Sequence, residues 1–215
     1  MYMCYSAESS LVAFTVGIVG ASLCISLRTK QGYVIGLFFA FISLIQVMEY
    51  VLWTHPVCDD YHKTVSVIGM ALNHAQPIVF GILMLLFYPT NPNRIWIMAI
   101  MGLYTASIIP YSLKYVYDTT IHCTKKNKYN HLYWEWNYMK NSGYIYVFSY
   151  LVALCSISLL GFDKIHGIWF ALVAFITYFT SAFLFYRQQA VGSLWCFYSV
   201  LIPIIYYGLC KNDYI

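Results

Sequence analysis

The sequence predicts an all-α fold, a polytopic membrane bundle of about seven transmembrane helices. Of its 215 residues, 61% are hydrophobic and only 9% are charged, whereas about 25% of the residues in a soluble domain are charged. Seven apolar runs are each long enough to cross the roughly 30 Å hydrocarbon core as a helix. Helices also satisfy their own backbone hydrogen bonds in lipid. The expected environment of the chain is therefore a lipid bilayer.

The apolar runs follow one another along the chain. The predicted spans are, in order, 11–27, 33–53, 65–88, 95–113, 144–160, 167–186 and 191–209. The first run is interpreted as a mature helix and not as a signal peptide, because Glu8 is the only charge before it and its basic residues follow it. No Gly-, Ser- or Pro-rich linker divides the chain, so residues 1–215 are predicted to form one membrane domain.

The charge pattern excludes one class of partner and leaves the orientation open. The net charge of +4 is spread over short loops, so no nucleic-acid-binding surface is expected. With seven spans, the N-terminus shares its side with the loops around Cys58 and Cys123. Five basic residues in short loops of the opposite side, against Lys63 and Arg187, favour that side as cytoplasmic, but the loop 114–140 adds five more to the N-terminal side.

Cysteine placement breaks this tie. Cys58 and Cys123 lie in the two loops that are long enough to meet. A disulfide between them would make the N-terminal side lumenal or extracellular, because disulfides persist in oxidising compartments. Two free thiols are the alternative.

One long connection, 116–143, contains an aromatic and polar segment. Tyr133, Trp134, Glu135 and Trp136 are consecutive, a composition typical of segments that lie among lipid headgroups. We interpret this segment as an interfacial anchor, with a lid over a ligand as the alternative.

The most informative stretch is Asn73 to Pro77, inside the third span. Polar side chains in a bilayer are costly and usually face a protein interior or a water-filled cavity. At 1.5 Å per residue, His74 lies in the same half of the membrane as Glu49 of the second span and Trp195 and Cys196 of the seventh. This shared depth predicts a polar site.

Helical spacing predicts which polar side chains face the same way and which of them could pair. Gln76 shares a face of the third span with Asn73, whereas His74 points about 100° away from Asn73. Glu49 is the only acidic residue well inside a span, and the span interiors contain no lysine or arginine, so His74 is the obvious partner for its carboxyl group.

Three functional hypotheses remain open. One is binding or transport of a small solute or ion, with proton relay included. Another is a membrane enzyme with a metal or haem cofactor, for which His74 and Cys4 are the candidate metal ligands. The last is a scaffold in which the polar network only fixes helix packing. No catalytic residue is predicted, and the candidate binding residues are Glu49, His74, Gln76, Trp195 and Cys196.

The order of these motifs resembles an uncharacterised family of small multi-pass membrane proteins, which have a domain of unknown function. Its members start with Met-Cys-[Trp/Tyr]-Ser, here Met3 to Ser6. The family's other features are a glutamate near the end of the second span, a His-x-Gln-Pro in the third, a Trp-Cys in the last span and two loop cysteines. They match Glu49, His74 to Pro77, Trp195 with Cys196, and Cys58 with Cys123.

The resemblance implies a membrane location without an activity. Such proteins occur in microbes and in large DNA viruses, and the high content of Tyr and Ile, residues with AT-rich codons, suits a viral source. A viral member would lie in a host membrane. Met1 and Tyr2 precede the usual start, and translation from Met3 would place Cys4 almost at the N-terminus.

Overall fold

The structure is a computed structural model, which describes residues 6–117, 123–138, 143–185, 187, 190–212 and 214. It confirms the all-α prediction. The helices are α1 (Ala7–Ser26), α2 (Lys30–Thr54), α3 (Asp60–Phe87), α4 (Arg94–Tyr117), α5 (Gly143–Gly161), α6 (Lys164–Phe185), α7 (Val191–Ser199) and α8 (Ile202–Lys211). Between α4 and α5 lie two short antiparallel strands, β1 (Lys125–Lys126) and β2 (Leu132–Tyr133), and a 3-10 helix (Glu135–Tyr138).

Six helical stretches in the described part of the chain are long and apolar enough to cross a membrane, with α7 and α8 counted as one stretch. Side-chain caps start the first three. Ser6, Thr29 and Asp59 each accept a hydrogen bond from a backbone N–H of the first turn, which satisfies a donor that has no partner inside the helix. The number and length of the six apolar stretches indicate a multi-pass membrane protein.

The apolar part of α5, Ile145–Gly161, is shorter, but α5 still runs from one end of the bundle to the other. Its last carbonyls, at Leu160 and Gly161, accept hydrogen bonds from Asn91 in the α3–α4 loop. Its first residue follows the 3-10 helix, which lies at the opposite end. Its 19 residues span about 28 Å, close to the thickness of the hydrocarbon core.

Loop contacts define the two ends of the bundle. Gln31, next to the α1–α2 loop, donates to Asp163 of the α5–α6 loop over 3.1 Å. This end also contains the α3–α4 loop and is called the asparagine end, after Asn91 and Asn93. The other end contains a disulfide between Cys58 and Cys123 and is called the disulfide end.

The last span is not the continuous helix predicted for 191–209. It is divided into α7 and α8 at Val200 and Leu201. Pro203, in the first turn of α8, has no N–H to donate to the carbonyl of Ser199, and proline therefore interrupts the ladder of backbone hydrogen bonds.

The segment 123–137, called the lid, covers the disulfide end. Trp134 and Trp136 are only 2% and 1% exposed, and their rings stack at 5.0 Å between centroids. The Trp136 ring packs against Gly69 of α3, where a β-carbon would lie 3.5 Å from it. The prediction of an anchor among lipid headgroups is therefore wrong for these indoles, because both are buried against the helices.

Candidate binding site

Glu49 lies in the last turns of α2 and is 3% exposed. The hydroxyl of Ser193, in the first turn of α7, donates a hydrogen bond to Glu49 Oε1 over 2.6 Å. Among the described residues, Glu49 takes part in no ion pair. The carboxyl group is thus buried among neutral polar groups without a basic partner, an arrangement that favours a proton or a bound cation on it.

Gln46 lies one turn before Glu49 and is fully buried. Its amide is close enough to influence the Glu49 carboxyl group, but neither amide atom has a partner at hydrogen-bond distance within the described part of the chain. Buried amides are normally hydrogen-bonded. This amide is therefore available to a ligand or to water beside Glu49.

Cys196 lies one turn deeper than Ser193 on α7. The Asn73 amide of α3 approaches the Cys196 thiol, with Nδ2 and Sγ 3.9 Å apart. The hydroxyl of Tyr146 on α5 donates to the Asn73 side-chain carbonyl. This contact continues the polar interior from Glu49 toward the middle of the bundle.

A small cavity of about 30 Å³ follows near the middle. Its polar lining includes Gln76, Tyr150, Thr177, Cys196 and Ser199. The Tyr150 hydroxyl donates to Gln76 Oε1, and the Gln76 side chain also interacts with the Cys196 thiol. One water needs roughly 10–15 Å³, so the cavity has room for water, although apolar side chains such as Phe38, Phe170 and Ile202 form most of its lining.

Trp195 forms one wall of this cavity. Its indole N–H donates to Thr177 Oγ1 over 3.0 Å, and its ring meets Tyr150 edge to face at 5.5 Å. Trp195 therefore positions the wall, and its only polar atom is already used.

We call this connected set the polar column. It runs inward from the disulfide end and consists of Glu49, Gln46, Ser193, Asn73, Cys196, Tyr146, Gln76, Tyr150 and the cavity beside them. The structure places four of the five predicted binding residues in or against it, namely Glu49, Gln76, Trp195 and Cys196.

His74 is the exception. It is 4% exposed, but its Nδ1 lies 2.8 Å from the Ser112 hydroxyl of α4, and its ring packs on Tyr146 and Tyr111. The described residues show neither a hydrogen bond nor an ion pair between His74 and Glu49. The expected pairing is wrong because His74 is rotated about 100° from Asn73 on the helix and so faces α4 and α5.

The metal and haem hypothesis gains no support from the geometry. No group of three His, Cys, Asp or Glu residues suited to a metal occurs within the described ranges. The other proposed ligand, Cys4, lies outside the described residues. A metal at His74 and Cys4 stays a prediction.

The mouth of the column lies under the lid. Gly192 of α7 adjoins Asn137 and Trp134, and a β-carbon there would lie 3.2 Å from the Trp134 ring. The indole N–H groups of Trp134 and Trp136 have no partners within the part of the chain that the structure describes. The lid thus contributes buried indole N–H groups at the same end of the bundle as Glu49.

The lid joins the bundle beside Asp59, the cap of α3. The backbone N–H of His62 and the imidazole of His55, which lies 2.8 Å from the carboxylate, hold the pKa of Asp59 below its ordinary value. Asp59 is therefore ionised at neutral pH.

Sequence reasoning missed the two tyrosines that complete the column. Tyr146 and Tyr150 lie four residues apart and share a face of α5. Their spacing was the available signal, but tyrosine is common at membrane interfaces and so does not by itself indicate a buried site.

Comparison of the chain with protein-family models, with curated proteins and with solved structures finds no match.

Proposed function

We propose that this protein binds a small cation, with the proton included, at Glu49. The supporting observation is a carboxyl group that is 3% exposed and has the Ser193 hydroxyl, not a basic side chain, as its partner. A charge buried in this way is strongly unfavourable unless it is neutralised. A protonated carboxyl group that exchanges its proton for a cation would resolve this cost.

The polar column supplies a route for such an ion. It leads from the lid past Gln46 and Glu49 to the cavity beside Gln76 and Cys196. Cations take oxygen ligands, and the column offers them in the Glu49 carboxyl group, the Gln46 amide oxygen and the Ser193 hydroxyl. Entry is proposed from the disulfide end, since the unused polar atoms cluster there.

Transport would need a further step. Toward the asparagine end, the cavity is closed by Phe38, Phe39 and Phe170, and Phe80 stacks on Phe170 at 4.7 Å. An ion bound in the column could cross only if these rings moved. The proposal is therefore ion binding from one side, coupled to transport when the phenylalanine cluster rearranges.

The location of that side is also a proposal. A disulfide between Cys58 and Cys123 supports a lumenal or extracellular disulfide end. Membership in the family with the Met-Cys-[Trp/Tyr]-Ser start is likewise proposed, on the motifs of the sequence.

Flux into vesicles tests the function. Purified protein in liposomes would be given a proton gradient and, separately, a sodium gradient, with wild type compared with Glu49→Gln. The matched control is Asp163→Asn, which removes an acid at the asparagine end, outside the column. We expect a flux in wild type and in the control that Glu49→Gln abolishes.

Two outcomes would overturn the proposal. One is a folded Glu49→Gln protein with wild-type flux of both ions. The other is no flux and no ion binding in wild type, with Glu49→Gln lowering only the thermal stability. The second outcome would favour the scaffold hypothesis, in which the network fixes packing.

A further inference from the structure

A groove of about 240 Å³ lies on the outer surface of the bundle, between α4 and α5. Its lining includes Ser107 and Pro110 of α4 and Ile145 of α5, all of which are exposed on the outside of the bundle. Because α4 is long and apolar enough to cross a membrane, lipid surrounds this surface. The groove therefore opens toward lipid molecules.

The groove runs from one end of α4 toward the middle of the membrane. Lys114, at its outer end, lies in the last turn of α4, which is at the disulfide end. Ser107 lies two turns before it, roughly 10 Å deeper in the bilayer. One leaflet contributes about half of the roughly 30 Å hydrocarbon core. The groove thus lies within one leaflet and begins at the level of the headgroups.

The hydroxyl groups of the lining are already used inside the protein. Those of Ser107 and Ser149 donate to backbone carbonyls of their own helices, over 2.7 and 2.9 Å. Those of Tyr111 and Tyr146 donate inward, to a carbonyl of the lid and to the Asn73 side chain. The surface that remains for a ligand consists of methylene groups and ring carbons, which suits an acyl chain.

The outer end of the groove is different, because it has a positive charge. Among the described residues that line the groove, Lys114 alone is charged, and it takes part in no ion pair within the described part of the chain. The acids described in the loops of this end have other basic partners, namely Asp59 with His55, Asp60 with Lys63 and Glu135 with Lys125. A lysine near a helix end extends its ammonium group to the headgroup level.

We propose that this groove binds an anionic phospholipid. The phosphate lies against the ammonium group of Lys114, and an acyl chain follows the groove past Tyr111 and Tyr146 toward Ser107. Net charge selects the lipid. A zwitterionic headgroup balances its phosphate with its own cation, whereas an anionic headgroup keeps a net negative charge that Lys114 neutralises.

The groove and the polar column share one side chain. The Tyr146 ring lines the groove, and its hydroxyl belongs to the column. A bound lipid would therefore pack on the outer wall of the column. The proposal does not rest on ion binding at Glu49, and the two are tested separately.

Photocrosslinking in phosphatidylcholine liposomes tests the site with the full chain. The probe is a phosphatidylglycerol with a diazirine on one acyl chain, and phosphatidylcholine with the same chain is used in parallel. Mass spectrometry of the peptides then locates the attached lipid.

Two pairs of variants separate charge from shape. Lys114→Gln removes the charge, and its control Lys164→Gln removes another exposed lysine at a helix end, outside the groove. Ser107→Phe fills the groove, and its control Ala106→Phe adds the same ring at the neighbouring exposed position.

We expect phosphatidylglycerol to label the peptides that contain Ser107–Lys114 and Ile145–Ser149 about fivefold more than phosphatidylcholine does, the preference that one lysine near an anionic headgroup gives. Lys114→Gln should remove this preference, and Ser107→Phe should remove the labelling with both probes. Both controls should behave as wild type does.

Three outcomes would overturn the proposal. Equal labelling of these peptides by the two lipids would mean that the groove does not select anionic lipid. Undiminished labelling in Ser107→Phe would mean that the lipid lies outside the groove. Labelling that falls as the protein content of the liposomes rises would mean that a second copy of the chain occupies the groove. The comparison of the two lipids on wild type decides the matter even if a variant fails to fold.

Discussion

The two halves of the bundle differ in what they bury. The half toward the disulfide end buries the amide of Gln46, the carboxyl group of Glu49 and the hydroxyl of Ser193. The half toward the asparagine end buries rings: Phe38 and Phe170 each pack on Phe80, with centroids 4.7 Å away. One half buries the polar groups that the proposed ion binding would use, and the other buries packed aromatic rings.

The distribution of unused polar atoms sharpens this contrast. In the described residues, the buried amide and indole atoms without partners lie from the lid to the cavity, whereas the asparagine end contributes only the hydroxyls of Tyr88 and Tyr206. Such atoms cost free energy in a bilayer. Their concentration in one half is consistent with the ion-binding region proposed there.

Removing a ring from the half toward the asparagine end should have the largest effect on stability. Phe80 is fully buried, and Phe80→Ala leaves a cavity that costs about 3–5 kcal/mol. The free energy of unfolding by titration with a denaturing detergent measures this. Leu103→Ala, at a position 74% exposed on α4, is the control and should change little. If both variants lose the same free energy of unfolding, the aromatic rings of this half are not tightly packed.

Breaking the disulfide should have the next largest effect. Cys58 and Cys123 are 65 residues apart, and loss of a native disulfide typically costs about 2–5 kcal/mol. The double variant Cys58→Ser, Cys123→Ser should show this loss together with faster proteolysis within the lid.

Its control is Cys210→Ser, which changes a free thiol in α8. Protease cleavage of the lid at the wild-type rate in the double variant would show that the disulfide does not hold the lid.

A methyl group at the lid contact should have a smaller effect. A β-carbon on Gly192 would collide with the Asn137 side chain and crowd Trp134. Gly192→Ala should therefore displace the lid and lower the free energy of unfolding by about 1–3 kcal/mol, the usual cost of overpacking. Gly102→Ala is the matched control, because a β-carbon there meets nothing within 4 Å. If both variants unfold at the same detergent concentration, the lid does not pack on Gly192.

The smallest effect concerns the cap beside the lid. Because the pKa of Asp59 is lowered in the folded protein, its ionised form stabilises the fold at pH values above the usual aspartate pKa. That stabilisation is lost as pH falls through the lowered value.

Asp59→Asn should thus be slightly less stable than wild type at neutral pH, and the difference should shrink in acid. Thermal unfolding at pH 7 and at pH 3 measures it. A difference that grows toward acid would contradict this sign.

Particular residues explain how far the sequence could predict this molecule. The apolar runs located the helices because crossing a bilayer imposes a minimum length. Depth along those helices placed Glu49 and Cys196 in the same half of the membrane as the stretch from Asn73 to Pro77. The pairing of Glu49 with His74 failed because depth does not determine rotation about a helix axis.

Other features depended on tertiary packing that no local pattern contains. Trp134 and Trp136 have a composition suited to an interface, but the lid folds back onto Gly69 and buries them. Pro203 lies in an apolar run, and only the structure shows that it divides the last span. Tyr146 and Tyr150 became part of the site because α5 packs against α3.

Infrared spectroscopy of the Glu49 carboxyl group tests the central claim most directly. In cation-free buffer, we expect a carbonyl band of a protonated carboxylic acid that is absent from Glu49→Gln. Addition of the cation that the protein binds, or a rise in pH, should convert this band to that of a carboxylate. If the Glu49 band stays the same after cations are added and after the pH is changed, the account is contradicted. The carboxyl group would then serve only helix packing.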